Sequence, residues 1–124
     1  MGLLDALSGN ASEVDASQLE PVIEPLLIQG EQVTQAFKLI RDLIVFTSKR
    51  LILVDKQGLS GKKQEVLSIP YGSIVKFSKE NAGRMDRDAE IKVWVRGETL
   101  PVELSFRKGT DLDPIYRVLS EYIL

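Results

Sequence analysis

Residues 46–74 read FTSKRLILVDKQGLSGKKQEVLSIPYGSI. RLILVDK and EVLSIP are short runs rich in Leu, Ile and Val, and the polar segment between them holds Gly58 and Gly61, which open positive φ to a turn. Two strand-length runs joined in this way predict a hairpin. The same punctuation recurs on both sides. EQVTQAFKLI and DLIVFTS lead up to the hairpin, and SIVKFSKE, DAEIKVWVR and TLPVELSFR follow it, each bounded by Gly, Pro, Asn, Asp or Ser. Seven strands with no helical pattern between them predict an antiparallel meander, closed into a barrel or folded into two packed sheets.

Alternation assigns the faces. Val33, Gln35, Phe37 and Leu39 share one side of the first strand, Ile91, Val93 and Val95 one side of the sixth, and Leu100, Val102, Leu104 and Phe106 one side of the seventh. Trp94 then points away from the core beside Lys92 and Arg96, where either its own cationic neighbours or another subunit covers it.

Helical patterns flank the strands. Between Ala16 and Gln29, Leu19, Val22, Ile23, Leu26 and Leu27 form one apolar stripe, interrupted by Pro25, which predicts two short pieces or a kink. Gly30 suits a C-terminal cap. At the other end TDLDPIYRVLSEYIL predicts a helix capped by Thr110 or Asp111, with Pro114 in its first turn and a stripe of Leu112, Ile115, Tyr116, Leu119, Tyr122 and Ile123.

The totals narrow the chemistry. A chain of 124 residues, 44% hydrophobic and 27% charged, is ordinary globular usage for one domain. With no Cys and no His, thiol nucleophiles, disulfides, Cys/His zinc sites and imidazole proton relays are excluded, and no catalytic residue or cofactor site is expected. The first residues, MGLLDALSGNAS, lack the cationic start of a secretory signal, so a cytoplasmic location is expected. Net charge is −2, unevenly placed: residues 1–37 carry Asp5, Glu13, Asp15, Glu20, Glu24 and Glu31 without a single Lys or Arg. An acidic leader on a mildly basic body can dock on its own domain or on a neighbouring copy.

The order RDLIVFTSKRLILVDKQGLSGKK, SIPYGSI, DAEIKVWV, followed by one amphipathic helix, resembles the bacterial pleckstrin-homology domain family. The resemblance runs from about Gly30 to the end, and the residues before it resemble that family's helical N-terminal extension, giving residues 1–29 as extension and 30–124 as domain. It implies a mainly β fold with α: a pleckstrin-homology-like roll of two near-orthogonal antiparallel sheets, four strands and three, capped by the C-terminal helix. It also implies homo-oligomeric rings, typically pentamers, and no enzymatic activity.

The function expected on this basis is a non-enzymatic interaction module that forms a cyclic homo-oligomer and binds an unidentified protein partner, with no nucleic acid involved. Candidate interface residues are Leu19, Ile23, Leu26 and Leu27 of the leader, Arg41 and Asp42 at a strand turn, and Trp94. Arg41 and Asp42, like Lys49 and Arg50, can pair with one another, across a boundary, or face water. The alternative function is peripheral membrane binding, with Lys56, Lys62 and Lys63 of the hairpin drawn to anionic lipid. The phosphoinositide loop of lipid-binding pleckstrin domains lies between the first two strands, and here only LIRDL occupies that place. The hairpin lysines are therefore read first as a solvated turn and second as an anion-attracting patch. Asp86, Asp88 and Glu90 are too few carboxylates, with Arg84 and Arg87 interleaved, for a calcium site, so no metal is expected.

Overall fold

The computed structural model describes residues 21–39, 42–57, 63–80 and 89–124, with the side chains of residues 56, 57 and 63 excepted. Seven strands run β1 Val33–Lys38, β2 Leu43–Thr47, β3 Arg50–Gln57, β4 Lys63–Pro70, β5 Ile74–Glu80, β6 Ala89–Val95 and β7 Val102–Phe106, and a helix, α1, spans Asp113–Ile123. They form a four-stranded sheet, β1-β2-β3-β4, and a three-stranded sheet, β5-β6-β7. The chain divides into two compact units, Met1–Ser68 and Ile69–Leu124.

In the first unit β1, β2 and β3 are antiparallel neighbours, Ala36 lying opposite Val45 and Val45 opposite Ile52. That register gathers Ala36, Leu43, Val45, Ile52 and Val54 on one face, where Ile23 packs among them with Val22, Leu27 and Val33 at the margin. Phe37, Ile44, Phe46, Leu51 and Leu53 are buried on the other face, the rings of Phe37 and Phe46 meeting edge to face at 6.1 Å. Burial on both faces explains why LIVF and LILV are continuous apolar runs instead of alternating ones.

Two expectations change in this unit. Val33 and Phe37 do not share a face, because the register slips between Val33 and Gln35 and the extra residue of that bulge turns Val33 toward the Ile23 cluster. The leader stripe is not uniformly covered either. The helical turn at residues 21–23 passes into a 3₁₀ turn, Glu24–Leu26, where Pro25 withdraws a backbone donor, as the proline predicted. Ile23 is buried, but Leu26 faces outward. Gly30 closes the segment with φ of +84°, a conformation that strains any residue with a side chain.

In the second unit β6 is central. Ala89, Ile91 and Val93 oppose Phe106, Leu104 and Val102 of β7, and Val93 opposes Phe77 of β5. Helix α1 buries Ile115, Val118 and Leu119, sets Tyr116 edge-on to Phe77 at 5.1 Å, and stacks Tyr122 on Tyr71 at 4.4 Å. Tyr71 follows Pro70 in the short turn between β4 and β5, and the stack packs its ring there. The helix start differs from expectation. Thr110 Oγ1 donates to the Arg107 carbonyl and so closes the preceding turn, while Asp111 Oδ1 accepts the Asp113 N–H at 3.1 Å. Leu100 is also displaced from its expected face. It precedes β7 in a turn opened by Gly97 at φ +87°, and is 78% exposed.

Candidate interaction surface

The most polar buried arrangement among the described residues lies where the leader meets the β2–β3 hairpin. Thr47 begins that turn, its hydroxyl oxygen accepting the N–H groups of Lys49 at 3.0 Å and Arg50 at 2.9 Å. The same hydroxyl donates to Glu31 Oε2 at 2.6 Å. Arg50 grips the carboxylate with two prongs, Nε to Oε2 at 2.8 Å and Nη2 to Oε1 at 3.0 Å, and the Ile28 N–H adds a bond to Oε1 at 3.1 Å. Arg50 also donates to the Leu26 carbonyl at 2.8 Å and to Ser68 Oγ at 3.0 Å. One guanidinium thus joins the leader, β3 and β4.

The Glu31 side chain is fully shielded from solvent, against 23% exposure for Arg50. The Arg50 hydrogen bonds hold the Glu31 carboxyl down from 4.5 to about 2, outweighing burial, which pushes it up, with Thr47 and the Ile28 N–H adding to the lowering. Glu31 in turn raises the Arg50 guanidinium above its ordinary value. Every acceptor position of this carboxylate is engaged by a donor of the same chain, so it is arranged to hold the leader in place and not to take up a proton or a ligand.

The segments that the clamp joins carry exposed apolar side chains among polar ones. Leu26 is 37% and Ile28 58% exposed, although the clamp fixes their backbone, and on β4 Val66 and Leu67 are 38% and 39% exposed. Arg50, for which facing water, pairing with a strand-end neighbour and pairing across a boundary were all open, is paired with Glu31, 19 residues away. Neither Glu31 nor Thr47 was singled out from sequence. The one available signal was a carboxylate placed between Gly30 and an apolar strand, where exposed charge has no obvious use.

The other sequence candidates are dispersed. Leu19 and Arg41 lie outside the described residues, as do Lys62, Asp86 and Asp88. Lys56 and Lys63 belong to the ends of β3 and β4. Asp42 accepts the Leu39 N–H through its carbonyl at 2.8 Å. Leu27 is half-buried against the Ile23 cluster. Trp94 is half-buried and carries the Lys76 ammonium 4.7 Å from its ring centroid, so a lysine of the same chain covers one side of it. Glu90 faces Lys92 at 4.0 Å. Among the described residues no group of three acidic side chains could hold a metal ion, and no helix is long and apolar enough to cross a membrane.

The profile of the bacterial PH domain family matches residues 2–123. The chain belongs to the bacterial pleckstrin-homology domain family. Within it, the chain is 52% identical over 121 residues to the uncharacterized protein YjqA of Bacillus subtilis, covering 97% of each. A crystallised pleckstrin homology domain from Shewanella amazonensis superposes with a TM-score of 0.82 at 50% identity, covering 98% of both chains. A pleckstrin-homology-domain protein from Shewanella loihica gives 0.78 at 43% identity, covering 94% of this chain and all of that one. The seven strands in sheets of four and three, with one C-terminal helix, are thus those of a bacterial pleckstrin-homology domain.

Proposed function

We propose that this bacterial pleckstrin-homology domain is a non-enzymatic, cytoplasmic interaction module that assembles with copies of itself into a closed ring and offers the assembled surface to a protein partner. Five is the subunit number implied by the family resemblance. The observation that carries this reading is the pair Leu26 and Ile28, exposed apolar side chains on a backbone held rigid by Arg50 and Glu31. A mobile leader would pay ordering entropy on docking, and a clamped one has lost that entropy already. Apolar residues displayed on fixed backbone are what a permanent protein contact uses. Glu31 and Arg50 are engaged by each other and by groups of the same chain, which supports a binding role over a catalytic one.

The test is mass in solution by light scattering during size exclusion. Leu26→Ser with Ile28→Ser is expected to weaken assembly about ten-fold or more while leaving the circular dichroism spectrum and unfolding midpoint near those of the parent. Trp94→Ala, measured beside it, asks whether the second candidate contributes. A parent chain that runs as a monomer overturns the proposal.

A further inference from the structure

Strand β4 has a longer run of exposed residues than any other described strand. Residues 64–68 are all exposed, so both Val66 and Leu67, which point to opposite faces, stay in contact with water, and burial resumes only at Ile69. β4 is also the edge of the four-stranded sheet. Edges are usually protected by proline, by bulges or by lysines along the strand. Lys63 and Pro70 stand at the two ends of β4, but the stretch between them, QEVLSI, has no proline, no glycine and no lysine, and one charge, Glu65. Other edges are guarded along their length. β5 carries Lys76 and Lys79 within the strand, and β1 is bent by its bulge.

We infer that β4 pairs edge to edge with β4 of a second copy, antiparallel about a two-fold axis near Leu67, so that the two sheets continue as one of eight strands. This rests on the self-assembly proposed above but uses a different surface from Leu26, Ile28 and Trp94. The occupant is a second copy because the strand complements itself. Pairing centred on Leu67 sets Leu67 against Leu67 of the partner subunit and brings the two Val66 side chains onto one diagonal, within reach of each other. Val66 faces Ser68 and Glu65 faces Ile69 across the axis, so no like charges are opposed and the two Glu65 carboxylates lie at opposite ends. Pro70, which has no N–H to donate, ends the pairing where β4 ends. The Arg50 bond to Ser68 Oγ ties this end of the strand to β3. Contacts of this kind are isologous, whereas the contacts around a five-membered ring are heterologous, so β4 joins subunits or rings in twos.

The chain has no cysteine, so a single introduced thiol reports the contact cleanly. Leu67→Cys is expected to form a disulfide-linked dimer under mild oxidation at low micromolar concentration. Leu100→Cys, more exposed but away from β4, is the control for random collision and is expected to remain monomeric on a non-reducing gel. Leu67→Lys in the otherwise unaltered chain is expected to halve the assembled mass with an unchanged unfolding midpoint. If Leu67→Cys cross-links no faster than Leu100→Cys while the parent still sediments as an oligomer, the β4 contact is wrong and self-assembly stands. A monomeric parent removes both.

Discussion

Glu31→Gln is expected to lower the unfolding free energy by about 3 kcal/mol near pH 7 and by less than half of that near pH 3. The sign follows from the depressed carboxyl, held at about 2 in the folded chain against 4.5 when free. A carboxylate stabilised in this way contributes fully above the unfolded value. The contribution declines as protons bind the unfolded chain, and it is gone once the pH has fallen through the folded value. Parent and variant should therefore converge on acidification. Glutamine keeps the size of the side chain and one acceptor but leaves the Arg50 guanidinium without its counter-charge; losing one partner of a buried pair commonly costs about 3 to 5 kcal/mol, and the partial exposure of Arg50 places this case at the lower end. Urea titrations at the two pH values check it. A deficit of equal size at both would mean that packing, and not ionisation, is what Glu31 supplies.

How far the sequence could be read depended on the range of the interactions. The seven strands follow from local pattern, because a pleated chain must repeat every two residues, or run apolar throughout where both faces are covered, as in Leu43, Ile44, Val45 and Phe46. Pro25 and Gly30 act within their own turns, and their effects were equally legible. The bulge at Val33 was not, since it is fixed by the register against Thr47 and Phe46 and leaves no mark in β1 itself. Leu100 continued the alternation of β7 on paper, but the turn at Gly97 had already set the strand start. The clamp was the least visible feature. Glu31, Thr47 and Arg50 meet only after a hairpin has formed and the leader has been laid against it, and each alone is an ordinary surface residue. The exposed face of β4 was likewise hidden, because EVLSIP has the composition of a buried strand.

Ile23 gives the second large effect. It is 1% exposed and packs on Ala36, Leu43, Val45, Ile52 and Val54, so the leader supplies part of the core of its own unit. Ile23→Ala removes that packing and leaves a cavity under β1–β3, which is expected to lower stability by about 2 to 5 kcal/mol. Deleting residues 1–29 exposes the same sheet face outright and should give an aggregating chain, because Ala36, Val45 and Ile52 would then face water. The truncation alone cannot tell a lost core from a lost subunit contact. The point substitutions can: Ile23→Ala should lower the unfolding midpoint of the chain even at dilutions where assembly is absent, whereas the Leu26 and Ile28 variants should change mass without changing that midpoint. An Ile23→Ala protein as stable as the parent under such dilution would mean that the leader's cover is dispensable to the domain, and that its stripe serves contact between copies alone.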